Sequence, residues 1–199
     1  MMKPLLFAGI HMEILIITIV ASVLILYIIW VFNRLITLKN RVEKGWAQID
    51  TQLQRRYDLI PNLVETVKGY AKHESEVFEK ITEARSKTVS AGTVSEKAQA
   101  DNDITNTLKS LFAVAEAYPD LKASANFREL QIELTNTENR ISFARQFYND
   151  TVASFNTKLQ QFPTNIIGRM LKFTAFEYFV VDTPEVRSAP KVDFGTGGD

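Results

Sequence analysis

Residues Ile14 to Phe32 read ILIITIVASVLILYIIWVF, a run of 19 residues without a single charge. As a helix rising ~1.5 Å per residue it covers ~28 Å, about the thickness of a bilayer's hydrocarbon core. Tyr27, Trp30 and Phe32 cluster toward its C-terminal end, where aromatic rings favour the headgroup boundary. A cleaved signal peptide would carry a shorter apolar stretch of ~7–15 residues and then a small-residue cleavage site. Here NRLITLKN follows instead. A buried core helix of this length would show a polar face. The run therefore reads as a transmembrane helix over residues 14–32, in contact with the lipid bilayer, behind a short N-terminal segment, residues 1–13. Only Lys3 precedes it, whereas Arg34, Lys39, Arg41 and Lys44 follow. The positive-inside tendency predicts a single-pass protein of the cytoplasmic (inner) membrane with its large C-terminal domain in the cytoplasm.

Beyond the span, apolar residues recur at helical spacing. Leu35, Leu38, Val42, Trp46, Ile49, Leu53, Tyr57, Ile60, Val64 and Val67 step by three, four and four. That is ~3.67 residues per turn, the period of a nearly straight helix. Pro61 interrupts the pattern, because it lacks the N–H that would bond the Tyr57 carbonyl. The in-phase stripe favours a kink there; Asp58, a capping residue three positions earlier, favours a chain reversal and a new helix. Residues 88–94 (TVSAGTV) read as a loop. Thr93 and Glu96 have capping-box spacing for the next helix, whose stripe is Ile104, Leu108, Leu111 and Ala115 and which Tyr118-Pro119 ends. Ser124 is placed to cap the last long helix. Along it Phe127, Leu134, Ile141, Tyr148, Phe155 and Phe162 fall every seven residues, a coiled-coil-like seam that asks for packing against neighbouring helices, and Pro163 ends it. The fold expected is all-α: an N-terminal transmembrane helix, then an antiparallel four-helix up-and-down bundle with long helices over residues 33–176, then a flexible C-terminal tail, residues 177–199.

The chemistry-bearing residues are sparse. Cysteine is absent, which excludes disulfides, thiolate catalysis and cysteine-ligated zinc. His73, in KHESEVFEK on a helix, begins something like a helical zinc-protease motif, but Val77 stands where the second histidine belongs. No phosphate-cradling glycine loop occurs, and no carboxylate spacing marks an acid/base pair. The chain has 23 basic and 23 acidic residues, so the basic excess of a nucleic-acid binder is missing. No catalytic residue, cofactor or metal site is expected, and no nucleic acid as partner. Two polar groupings remain as candidate interaction or polar-core positions: Arg55, Arg56, Asp58 and Asn62 around Pro61, and Glu138, Asn139, Arg140 and Arg145 in the heptad helix. Glu138 and Arg145 are seven apart and should lie near the core, as a hydrogen-bonded layer that sets helix register or as a recognition patch; the first reading is favoured.

The segments WAQIDTQLQRRYDLIPNLVETVKGYAKHE (Trp46 to Glu74), AEAYPDLKASANF (Ala115 to Phe127), TENRISFARQFYN (Thr137 to Asn149), FNTKLQQFP (Phe155 to Pro163) and APKVDF (Ala189 to Phe194) resemble the LemA family. The resemblance implies a bacterial membrane protein with one N-terminal span and a helical bundle, without an established activity or cofactor. Members are often encoded beside a membrane zinc metalloprotease, which suggests that protease as a partner. Some relatives in magnetotactic bacteria act in membrane organelle formation. Some members carry a lipobox cysteine, which this chain lacks.

The function expected is that of a non-enzymatic, membrane-anchored scaffold or adaptor, acting with a membrane zinc metalloprotease in envelope maintenance, with homo-oligomerisation a further option. The alternative is a membrane-tethered sensor or ligand-binding bundle with the polar layer as its site; an unrecognised hydrolase ranks third. Because the stripes from Leu35 to Phe162 can bury one another, a fragment beginning near Asn33 should be soluble without detergent. Its circular dichroism should be strongly helical with essentially no sheet; a β-rich spectrum would defeat the bundle expectation.

Overall fold

The computed structural model describes residues 3–180, with side chains from His11 onward. All regular structure among the described residues is helical: α1 (Lys3–Lys68), α2 (Ser75–Ser90), α3 (Val94–Glu116), α4 (Pro119–Ala123), α5 (Ala125–Gln160) and α6 (Thr164–Met170). The segment Ala189 to Phe194 and the rest of the tail from residue 181 lie outside the described residues. The chain divides into two compact units. Unit one takes the residues up to Gln54 and Thr137–Tyr178; unit two takes Arg55–Asn136 and the residues from Phe179.

In unit one, burial begins where the uncharged run ends. From Met12 to Trp30 the large apolar side chains of α1 are almost wholly uncovered by protein, whereas Val31, Leu35, Leu38, Val42 and Ile49 are buried. On α5 the heptad positions Ile141, Tyr148 and Phe155 are buried, together with Ala144 and Val152. The Trp46 and Tyr148 rings lie 5.7 Å apart, and Lys158 Nζ stands 5.8 Å from the Trp30 ring. As numbers rise along α1 they fall along α5, so the two run antiparallel here. At Gly45 they come so close that a Cβ would stand 3.2 Å from the Tyr148 Cα.

After α5 the chain turns, forms α6 and runs back in extended form. Asn156 holds that segment by both ends of its amide. Its Nδ2 donates to the Phe176 carbonyl (2.9 Å) and its Oδ1 accepts from the Phe176 N–H (3.0 Å). The Tyr148 hydroxyl donates to the Glu177 carbonyl at 2.8 Å, and burial, aided by the Glu177 charge, raises its pKa above the ordinary tyrosine value. Phe155 meets Phe173 and Phe176 edge-on, at 6.3 and 5.0 Å. α6 ends in a Schellman motif: Phe173 N–H bonds the Gly168 carbonyl, and Lys172 N–H the Arg169 carbonyl. Lys172 takes the left-handed position at φ 57°, where glycine would be free of strain and a side chain costs ~1–2 kcal/mol.

Unit two holds the C-terminal part of α1, with α2, α3, α4 and the first part of α5. Tyr57, Ile60, Leu63, Val64 and Val67 continue the buried stripe of α1. α2 packs on α3 through faces carrying Phe78, Ile81 and Ala84 on one side and Ile104, Leu108 and Leu111 on the other. α3 opens with the capping box expected: Thr93 Oγ1 accepts from Glu96 N–H, and the Glu96 carboxylate accepts from the N–H groups of Thr93 and Gly92. Those backbone bonds, Thr93's first, hold the Glu96 pKa below its ordinary value. Phe112 and Phe127 join α3 to α5 edge-on at 6.2 Å.

α1 runs uninterrupted through Pro61, which decides the alternative left open there against a reversal at Tyr57, and three local expectations are corrected besides. The buried residues on both sides of the proline, Ile60, Leu63 and Val64, outweigh the lost hydrogen bond. The reversal falls instead at Gly69–Glu74, so His73 sits exposed in a connection and not on a helix. Helix also continues through Thr88 to Ser90, because both hydroxyls bond carbonyls of their own helix, Thr88 to Arg85 and Ser90 to Lys87. Finally, the heptad seam stops at Phe155: Phe162 lies past the end of α5 and is 80% exposed.

The close approach at Gly45 generates a prediction. Gly45→Leu must push against the Tyr148 backbone and the Phe147 ring, and overpacking of this kind costs ~1–3 kcal/mol. Chemical denaturation should show that loss, even though leucine is the better helix former. Unchanged stability would mean the two helices separate freely.

Candidate functional site

The interior of unit two contains charge. Arg56 on α1 and Asp101 on α3 are 4% and 2% exposed, and Arg56 Nη1 donates to Asp101 Oδ1 at 2.7 Å. Arg56 Nη2 donates to Thr105 Oγ1 at 3.0 Å, and the Thr105 hydroxyl donates back to the Asp101 carbonyl at 2.9 Å. One guanidinium thus ties α1 to two successive turns of α3. Removing two charges from water is expensive, and a short contact with a further hydrogen bond to the guanidinium is the geometry that offsets it.

The other members of the first grouping lie on the surface of the same unit. Arg55 makes an exposed bridge to Glu133 on α5, at 3.0 Å, and Asp58 and Asn62 are exposed. The Asn62 carbonyl accepts the Thr66 hydroxyl within the helix. In unit one, Glu138 and Arg145 are half-buried, next to the buried seam positions Thr137 and Ala144. Each follows a seam position by one residue, ~100° around the helix, and each keeps a buried polar atom, Glu138 Oε2 and Arg145 Nε. Asn139 and Arg140 are exposed.

Sequence reasoning missed Asp101 and Thr105. The signal was present, since Asp101 stands three residues before Ile104 and three after Ala98, on the apolar stripe of α3. An acid in core phase demands a partner, and Arg56, between Leu53 and Ile60 in core phase on α1, supplies one. Among the described residues no group of His, Asp and Glu is arranged to hold a metal ion. A groove of about 830 Å³ lies on the surface of unit two, lined by Lys68, Lys72, Phe78, Glu79, Thr82 and Glu83. It does not include the buried ion pair.

The sequence model of the LemA family matches residues 45–194. The chain belongs to the LemA family. A Protein LemA from Metamycoplasma hominis is 30% identical over 169 residues, covering 78% of this chain and 75% of that protein. The Magnetosome proteins MamQ 1 and MamQ 2 of Paramagnetospirillum magneticum are each 24% identical over 174 residues, covering 74% of this chain and 64% of theirs. The LemA match begins inside α1, after the uncharged run, and takes in Arg56, Asp101 and Thr105. The apolar helix and the LemA relatives together support membrane association.

A stability test follows from the ion pair. Arg56→Ala leaves Asp101 buried without its partner and should destabilise the LemA domain by ~3–5 kcal/mol in chemical denaturation. The double variant Arg56→Met, Asp101→Leu should recover most of that loss, because an apolar pair needs no desolvation. A single variant as stable as the parent would show the pair to be solvated.

Proposed function

We propose that this LemA family protein is a non-enzymatic scaffold or adaptor anchored in the bacterial cytoplasmic membrane by residues 14–32, with its domain in the cytoplasm. The observation that carries the reading is the continuity of α1. The helix that exposes an uncharged apolar surface from Ile14 to Trp30 is the same helix whose buried stripe runs from Leu35 to Val67. With no flexible linker between span and core, the domain is mounted on the membrane, and a partner in the same bilayer meets it at high effective concentration. The reading includes an antiparallel four-helix up-and-down arrangement of α1, α2, α3 and α5. It is supported by the antiparallel contacts of α1 with α5 and by the three-residue connection between α2 and α3.

The partner proposed is another integral membrane protein, a zinc metalloprotease or a second copy of the chain. Phe143 and Phe147, one helical turn apart on α5, are 72% and 45% exposed next to Arg140, an aromatic surface of the kind that anchors interfaces. The alternative, a ligand-binding bundle, draws on the groove beside Phe78; a ligand seated there would raise the melting temperature.

Two measurements test the proposal. A photo-crosslinking phenylalanine analogue at position 143 in intact membranes should give one discrete adduct with a membrane protein, lost on Arg140→Glu; no adduct, or a smear of abundant proteins, would defeat the adaptor reading. Topology is checked with single cysteines in this cysteine-free chain. An impermeant thiol reagent on intact cells should label His11→Cys and not Val89→Cys, whose parent side chain is 78% exposed. The opposite pattern would reverse the orientation.

A further inference from the structure

We propose that α6 and the turns on either side of it form a second, interfacial contact with the bilayer, seated on anionic phospholipid headgroups beside the exit of the transmembrane helix; this rests on the reading of residues 14–32 as a membrane span. α6 is apolar on two sides. Its inner side, Thr164, Ile167 and Gly168, is buried, and a Cβ on Gly168 would collide with the Leu159 side chain of α5. Its outer side carries Ile166 and Met170, one turn apart and 52% and 76% exposed, and Phe162 in the turn before it and Leu171 after it are exposed as well. These large apolar side chains have no cover within the unit.

Position identifies what covers them. Residues on both sides of α6 touch the last turn of the uncharged run: Lys158 Nζ lies 5.8 Å from the Trp30 ring, and the Phe173 ring 6.3 Å from that of Phe32. Trp30 and Phe32 belong at headgroup depth, so α6, held between Lys158 and Phe173 in sequence, is held at that depth too. Charge gives the same answer. Residues 151–176 contain Lys158, Arg169 and Lys172 and no acid, and residues 33–42 contain Arg34, Lys39 and Arg41 and no acid. An apolar face flanked in sequence by Lys158, Arg169 and Lys172 matches the boundary between acyl chains and anionic headgroups. Lys172 is kept in a left-handed backbone position that glycine would fill without strain, so a cation stands where local geometry alone would not place one.

The test uses the full chain, reconstituted in vesicles of phosphatidylcholine with phosphatidylglycerol and of phosphatidylcholine alone. Nitroxide labels on Val20→Cys, Val89→Cys, Ile166→Cys and Met170→Cys are read by collision with oxygen, which prefers the membrane, and with a water-soluble nickel chelate. Position 20 should read deep and position 89 aqueous. Positions 166 and 170 should read ~5–10 Å below the headgroups with phosphatidylglycerol, and several-fold more accessible to nickel without it or after Lys158, Arg169 and Lys172 are all changed to Gln. If position 20 is deep while 166 and 170 are as accessible to nickel as 89, the interfacial contact is overturned and the anchor stands. If position 20 is itself accessible to nickel, the anchor reading falls and this inference with it. Shelter from both reagents at 166 and 170 would mean that protein covers the face, and equal depth in both lipid mixtures would remove the role of headgroup charge; either overturns the proposal as stated.

Discussion

The central constraint is a helix, α1, whose apolar side chains are exposed over one part of its length and buried over the next. From Ile14 to Trp30 its large apolar side chains are mostly exposed, and from Val31 its stripe is buried. Leaving a large apolar side chain in water forgoes ~1.5–3 kcal/mol. Repeated along the run, that penalty exceeds the few kcal/mol by which a domain is stable. An apolar cover over that part would remove the penalty, and its ~28 Å length is about that of a bilayer's hydrocarbon core. No break separates the exposed part from the part whose stripe is buried, since α1 is one helix through both. At the transition Trp30 lies beside Lys158 and Phe32 beside Phe173.

The buried ion pair in unit two answers a different need. An apolar layer at Arg56 and Asp101 would be at least as stabilising, because it avoids stripping water from two charges. What the pair adds is selectivity of alignment. A guanidinium bonded to both a carboxylate and the Thr105 hydroxyl can be satisfied at one rotation and one height of α1 against α3, whereas leucines tolerate sliding. Long helices with repetitive stripes are prone to register ambiguity, and α1, with its three-four-four spacing, is of that kind.

What the sequence revealed and what it hid divide along the range of the interactions. The stripe positions of α1 from Leu35 to Val67 are buried, with Trp46 half-buried, because helical period is a local property that each turn restates. The capping box at Thr93 and Glu96 is local in the same sense, and so is the end of α3 at Tyr118. Pro61 could not be resolved locally, since its cost is set against packing by Ile60, Leu63 and Val64 on distant partners. Phe162 continued the heptad arithmetic past the point where its helix ended. Of the candidate polar residues, Arg56 alone proved deeply buried, and its partner was missed because Asp101 lies 45 residues away on another helix. Charged residues in core phase on two different helices are best sought as a pair.

The extended segment after α6 shows how the same reasoning reaches beyond periodic structure. Residues 171–180 have no regular hydrogen-bonded pattern, yet Phe179 is 1% exposed and Phe176 is held through both its N–H and its carbonyl by one asparagine. An amide side chain can do this because it presents a donor and an acceptor side by side, as a strand neighbour would. Asn156 therefore works as a one-residue sheet edge on the face of a helix. The hydrogen bond from Tyr148 to Glu177 gives the segment a second fixed point two turns earlier on α5, and Phe155, between them, receives the Phe173 and Phe176 rings. The buried face of α5 is thus divided between partners. Its Tyr148 ring turns toward Trp46 of α1 while its hydroxyl holds the returning chain, so a seam that reads from its heptads as helix packing alone also anchors a segment without any helix.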